Sequence, residues 1–130
     1  MKTILIVDDE PAARYGLRRA LEAKYRVAEA ESAEAARDAL GTEQPDLVLL
    51  DVVLPGQSGL EFLRWMRESG NETPVLMVSA LDTAKTAVEA LQLGAADYLV
   101  KGFELEELRQ RVANLLKLST LEKENDSLRR

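Results

Sequence analysis

The chain contains no cysteine and no histidine. Without Cys there is no disulfide, no thiolate chemistry and no zinc site of the cysteine type. Without His there is no imidazole metal ligand, the usual general base is missing, and no phosphohistidine can form on this chain. Long apolar runs are also lacking, since nothing approaches the roughly 18 consecutive residues that suggest a membrane span. The N-terminus enters a strand pattern directly rather than a leader pattern, so a cytoplasmic location and no membrane partner are expected. Positive charge is scarce: 17 Lys and Arg stand against 23 Asp and Glu, for a net charge of −6, and no Lys/Arg-rich block appears. Contacts to nucleic-acid phosphates need clustered cations, so direct nucleic-acid binding is not expected. What is present is 130 residues, 46% apolar and 31% charged. That is enough for one domain with a core and too little for two ordinary ones.

Short apolar runs alternate with amphipathic helical stretches. The pattern predicts strands over Thr3–Val7, Tyr25–Glu29, Asp46–Leu50, Val75–Val78 and Ala96–Val100. The third and fourth are apolar nearly throughout, as in strands covered on both faces. Helices are predicted near Pro11–Ala23, Ser32–Leu40, Gly59–Glu68 and Thr83–Leu91, with a longer one from about Glu104. Ser32 and Asp82 resemble N-caps. Gly41, Gly70 and Gly94 fall where a left-handed C-cap suits Gly. Alternation of this kind implies right-handed crossovers and one doubly wound, three-layer α/β domain with a parallel five-stranded sheet.

Three runs end in charge: Ile4–Val7 into Asp8 and Asp9, Leu47–Leu50 into Asp51, and Tyr98–Val100 into Lys101. As neighbouring parallel strands they would gather three carboxylates and an ammonium at the edge where open α/β sheets bind ligands. Carboxylates so close repel unless neutralised. Mg²⁺ meets that need with one or two carboxylates, several waters and phosphate oxygens. Asp51 is the expected nucleophile, since aspartate forms acyl phosphates. Asp8 and Asp9 are expected to hold Mg²⁺. Lys101 offers a point charge to a phosphoryl oxygen, and Ser79, ending the fourth run, offers a hydroxyl. Each residue alone is more often a cap, a turn or a solvated charge. Their coincidence at several strand ends is what carries the reading.

With these residues in place, the stretches ILIVDDEP (Ile4–Pro11), DLVLLDVVLPGQSG (Asp46–Gly59), PVLMVSA (Pro74–Ala80) and GAADYLVKGF (Gly94–Phe103) resemble the receiver domains of two-component response regulators. The resemblance spans about residues 2–118 and implies a flavodoxin-like (βα)5 fold with an extended C-terminal helix. It implies that Asp8 and Asp9 are the metal-binding pair and that Asp51 is the phosphoacceptor and a metal ligand. By the same resemblance the Val53 carbonyl completes the Mg²⁺ shell, Ser79 and Tyr98 are the switch residues, and Lys101 binds phosphate. The implied donor is a phosphohistidine on a sensor histidine kinase, and small phosphodonors can substitute. The implied response is a rearranged surface of the fourth helix, fifth strand and fifth helix that controls an output domain absent from this chain. Such a domain catalyses only its own phosphorylation and dephosphorylation. Apolar Val53 and Leu81 stand where the family tunes attack by water, so slow self-dephosphorylation is expected. Asp82–Asp97 and the charged tail are similar to receivers and linkers of sigma-54-dependent activators of the NtrC class, a transcriptional output.

One departure concerns Gly102, where the family usually has Pro with a cis peptide. For Gly a trans bond is expected, together with a looser loop. Residues 1–118 read as the receiver domain and 119–130 as a helical linker. In that linker Leu118, Leu121, Asn125 and Leu128 follow a coiled-coil spacing that suits weak homodimer contact. Two rival functions compete with phosphoryl acceptance. The first is a degenerate, unphosphorylated receiver used for docking. The second is an enzyme, either a flavin carrier or an aspartate-nucleophile phosphatase. DDEPAAR after the first strand does not suit a flavin phosphate, and Val53 is not the second acid such a phosphatase wants.

Overall fold

Strands that are apolar at every position must be covered on both faces, and the chain supplies helices for both. The computed structural model describes the backbone of residues 1–128 and the side chains of residues 1–118. The order is β1 (Thr3–Val7), α1 (Pro11–Leu21), β2 (Arg26–Ala30), α2 (Ala33–Glu43), β3 (Leu47–Leu50), α3 (Gly59–Glu68), β4 (Val75–Ser79), α4 (Ala84–Gln92), β5 (Asp97–Val100) and α5 (Leu105–Leu128). The five strands form one parallel sheet in the order β2-β1-β3-β4-β5. This is the flavodoxin-like receiver architecture expected.

Side-chain alternation along each strand divides the core in two. Leu5, Val7, Val48, Leu50, Val75 and Met77 face α2 and α3, meeting Ala36, Leu40, Phe62, Leu63 and Met66. Ile4, Ile6, Leu47, Leu49, Leu76 and Val78 face the opposite way, onto Leu17 and Leu21 of α1 and Leu108, Val112 and Leu116 of α5. Full burial of one such aliphatic side chain stabilises the fold by about 1.5–3 kcal/mol.

Helix ends show where short-range signals misled. Ser32 caps α2 as expected, its hydroxyl accepting from the Ala35 amide at 3.1 Å. Gly41 does not end that helix. The helix runs through it to Glu43, and Gln44 takes the left-handed turn at φ 46°, with its amide bonded to the Leu40 carbonyl. An exposed Gly inside a helix costs only about 1 kcal/mol, so the longer helix survives. The cap of α4 is Thr83 rather than Asp82, because the Thr83 hydroxyl is the one that accepts the Thr86 amide, at 3.3 Å. A capping box opens α3, where Ser58 and Glu61 each satisfy the other's backbone amide. Gly70 and Gly94 take positive φ just past α3 and α4, as expected. The Lys101–Gly102 peptide is trans. Helix α5 is continuous across the expected linker boundary at 118. Apart from Leu118, the residues of the proposed coiled-coil seam lie outside the described side chains.

Candidate functional site

Strand register brings the site together. Val7 of β1 pairs with Leu50 of β3, so Asp8 and Asp51 leave the sheet at the same level. The ladder continues one residue further, with the Asp51 amide on the Val7 carbonyl at 3.0 Å. On the other side of β3, β4 ends at Ser79, opposite Val100 of β5, and the Lys101 amide bonds the Ser79 carbonyl at 2.8 Å. The chain order reverses between β1 and β3, and the crevice at such a reversal is where doubly wound sheets bind ligands.

Asp8 and Asp51 are buried, Asp9 is exposed at the rim, and carboxylate oxygens of all three lie within 4.8 Å of one another. The Lys101 ammonium enters from β5. It stands 2.8 Å from Asp8 Oδ2 and 2.9 Å from Asp51 Oδ2, with Glu10 Oε1 at 3.4 Å. Asp51 Oδ1 accepts the Val53 amide at 3.1 Å, so both oxygens of that carboxylate are engaged. Asp8 Oδ1 accepts the Glu10 amide at 2.9 Å. Asp8 Oδ2 is fully buried and has the Lys101 ammonium, at 2.8 Å, as its ion-pair partner. Burial pushes the Asp8 carboxyl above its usual range, while Lys101 and the Glu10 amide pull it back. The opposed carboxylates hold the Lys101 ammonium charged well above the ordinary lysine pKa, although burial works against them.

Three carboxylates facing one ammonium leave two negative charges uncompensated. Burial of Asp8 and Asp51 makes that uncompensated charge more costly. All the donors are hard oxygens. This set fits Mg²⁺, which prefers carboxylates, water and phosphate oxygens over any cage made wholly of protein.

Ser79 is fully buried at the end of β4, and its Oγ accepts the Leu81 amide at 3.4 Å. Half-buried Tyr98 donates its hydroxyl to the Leu81 carbonyl at 2.7 Å. Burial raises the Tyr98 phenol pKa, the Ser79 hydroxyl lowers it, and the charges of Asp51 and Asp82 raise it further. The two residues named as switches therefore grip the amide and the carbonyl of one residue, Leu81. Val53 directs its amide at Asp51, and the residue is 58% exposed.

Three contributors escaped the sequence reading. Glu10 reaches Lys101, and Arg14 donates to the Asp8 carbonyl at 2.7 Å. Gly59 is the third: a Cβ there would run into the Asp51 carbonyl and lie 3.0 Å from Val52 Cα. Glu10 and Arg14 look like ordinary first-turn charges on α1 and gave no signal. Gly59 did carry one, a glycine opening a helix beside the loop that follows Asp51.

An open parallel sheet with an acidic pocket facing a lysine defines a class of doubly wound α/β domain, and comparison with known proteins gives its family. The sequence matches the response regulator receiver domain family over residues 4–113, and the chain belongs to that family. It is 42% identical over 118 residues to the response regulator MprA of Mycolicibacterium vanbaalenii, covering 90% of this chain and 51% of that protein. The chain thus spans about half the length of such relatives. Among solved structures it resembles the receiver domain of a putative Luxo repressor protein from Vibrio parahaemolyticus, with a TM-score of 0.90, 28% identity, and 94% of this chain and 95% of that one covered. It also resembles NtrX from Brucella abortus, with a TM-score of 0.91, 33% identity, and 98% of this chain but 30% of that one covered. Receiver domains bind Mg²⁺ at an acidic pocket, and this chain carries an acidic cluster of Asp8, Asp9 and Asp51.

Proposed function

We propose that this domain accepts a phosphoryl group on Asp51 from the phosphohistidine of a sensor histidine kinase and relays the change to an output domain. The observation that carries the proposal is the meeting of the buried Asp51 and Asp8 carboxylates on one ammonium, Lys101, at 2.9 and 2.8 Å. In the reaction an Asp51 carboxylate oxygen forms a bond to phosphorus. The bond from phosphorus to the imidazole nitrogen breaks, and its electron pair returns to the ring. The product is an acyl phosphate with no net loss or gain of electrons.

Asp8, Asp9, Asp51 and the Val53 carbonyl would hold Mg²⁺, which when bound neutralises charge on the phosphoryl oxygens. The chain's own residues supply the rest. Lys101 exchanges one Asp51 oxygen for a phosphoryl oxygen and keeps its charge throughout. Asp51 is held by its backbone bond to Val7 and by the Val53 amide, so the attacking oxygen is aimed before the donor arrives. Ser79, which holds the Leu81 amide in this structure, turns its hydroxyl to the phosphoryl group and releases the loop. Tyr98, bonded to the Leu81 carbonyl, follows. This is a two-state element biased by new charge-assisted contacts.

The surface that reads the switch is formed by α4, β5 and α5, where Val88, Leu91 and Val100 are exposed apolar residues. Arg111 of α5 is bonded to Asp97 and to the Tyr98 carbonyl of β5, which couples that strand to the last helix. Residues 1–118 act as the receiver and 119–130 as a linker, with homodimer contact as the means of relay. The relatives named MprA and NtrX favour a transcriptional output. The test is intact mass after incubation with acetyl phosphate and Mg²⁺. The parent chain gains one phosphoryl group and Asp51→Ala gains none; an unchanged parent mass sinks the proposal. Apolar Val53 and Leu81 give attacking water no polar anchor, so the phosphoryl group persists for many minutes, and a lifetime of seconds contradicts this.

A further inference from the structure

Helix α4 is attached unequally at its two ends. Only Ala90 of its nine residues is buried. Beyond it Leu93 and Ala95 join the same core. The Ala95 amide bonds the Ala90 carbonyl at 3.0 Å, and the Ala96 amide bonds the Val75 carbonyl of β4 at 2.8 Å. Ahead of it Ala84, Lys85 and Val88 are exposed, and Thr86 and Ala87 are half-buried.

The C-terminal end carries a further tie. Half-buried Arg67 of α3 donates from Nε and Nη2 to the Gly94 carbonyl, at 3.3 and 2.9 Å. Its Nη1 donates to the Asn71 and Thr73 carbonyls at 2.8 and 2.9 Å. One guanidinium thus joins α3, the entry to β4 and the turn between α4 and β5. Gly94 makes room for it, since a Cβ there would lie 2.9 Å from Arg67 Nε. Lysine is no substitute for this fork, because a single ammonium lacks the planar set of donors.

Among the described residues, the side-chain ties at the other end are two hydroxyls. Ser79 Oγ accepts the Leu81 amide at 3.4 Å, and Tyr98 donates to the Leu81 carbonyl at 2.7 Å. The Thr83 hydroxyl works within the helix, on Thr86. Segments with little buried surface open most readily, and residues at the end of an element are where a hinge forms.

We infer that α4 is a hinged helix: the turn between α4 and β5, cross-linked by Arg67, is the hinge, and the N-terminal end swings when Leu81 is let go. The surface that changes is then the half of α4 bearing Lys85 and Val88, and a partner that reads the switch docks there rather than at Leu91. The inference rests on the proposed function for what releases Leu81, and on the packing of α4 for which end moves.

The chain has no cysteine, so introduced thiols take spin labels at chosen places only. Lys85→Cys and Gln92→Cys, both at exposed positions of α4, are each paired with a reference label. The references are Asp38→Cys on α2 and Glu22→Cys at the end of α1, exposed positions on opposite faces of the sheet. Double electron–electron resonance gives the label distances with and without Mg²⁺ and beryllofluoride, a mimic of the aspartyl phosphate. Lys85 lies about 13 Å along the helix from Gly94, and Gln92 about 3 Å. A swing about that turn shifts the Lys85 label about four times as far as the Gln92 label. In Arg67→Lys the hinge is loosened and the two shifts approach equality. Tyr98→Phe, with no phosphoryl mimic present, widens the distance distribution at Lys85 and leaves that at Gln92 as narrow as in the parent.

Equal shifts at the two positions of the parent, or a larger one at Gln92, overturn the inference. So does an Arg67→Lys chain that keeps the parent's ratio, or a parent that takes phosphate by intact mass and shows no shift at either label. Should the parent take no phosphate, the functional reading has failed and Tyr98→Phe alone decides. Widening at Lys85 only upholds the hinge, and widening at both positions or at neither overturns it.

Discussion

At Gly59 the fold leaves no room for a methyl group. The Gly59 amide bonds the Val52 carbonyl at 2.7 Å, and a Cβ would press on the backbone of Asp51 itself. The obstacle is main chain, which cannot rotate aside, so Gly59→Ala is expected to destabilise the domain by roughly 1–3 kcal/mol through overpacking. Because the displaced atoms belong to Asp51, the proposed phosphoacceptor, the same variant should also slow phosphoryl uptake. Urea unfolding and intact mass measure the two effects, and a variant as stable and as fast as the parent would contradict the steric argument. Asp8, Asp51, Ser79 and Lys101 were legible from sequence because each follows an apolar run, and a strand end is a place that sequence can mark. Gly59 acts through a distance of approach between two backbones. Glu10 and Arg14 act by reaching across from α1. Neither kind of contact has a local pattern.

Elements were legible where burial was two-sided and less so at their ends. The runs of β3 and β4 are buried at every position, and nothing competes with that signal. Caps are decided by single hydrogen bonds worth about 1 kcal/mol, so Thr83 could displace Asp82 and Gln44 could displace Gly41 at small cost. Strand β5 is held to its surroundings by polar contacts, and these make it sensitive to alkali. The Tyr98 phenol titrates above its usual value of about 10. A group whose folded pKa is raised contributes stability that is complete below its unfolded pKa and is lost as pH rises through the folded one. Lys101 is raised as well and acts in the same direction. Tyr98→Phe should therefore make stability fall less steeply above about pH 10, measured as unfolding midpoints across a series of alkaline buffers. An unchanged slope would show that the phenol is not held.

Over the whole molecule, the cost of the acidic pocket sets stability against function. Asp8 is buried beside two other carboxylates with one ammonium among them, a destabilising arrangement of the kind functional sites keep. Asp8→Asn should raise the melting temperature in the absence of divalent ions. Mg²⁺ should raise that of the parent, by about 2.7 kcal/mol at a hundredfold excess over its dissociation constant, and leave Asp8→Asn unmoved. Melting curves with Mg²⁺ and with a chelator check both statements. A variant that still responds to Mg²⁺ would place the ion elsewhere.

Helix α5 has a mechanical consequence. Its buried residues Leu108, Val112 and Leu116 clamp one end against the sheet, and the same helix continues to Leu128. At 1.5 Å per residue the far end lies roughly 18 Å beyond the last clamped side chain. A rod held at one end passes an axial roll along its length undiminished and magnifies a tilt in proportion to its reach. A small repacking beneath Leu116 therefore arrives at Leu128 as a change of bearing. Under the proposed function, the helix would gear sub-ångström chemistry at the sheet edge up to the scale on which whole domains are arranged.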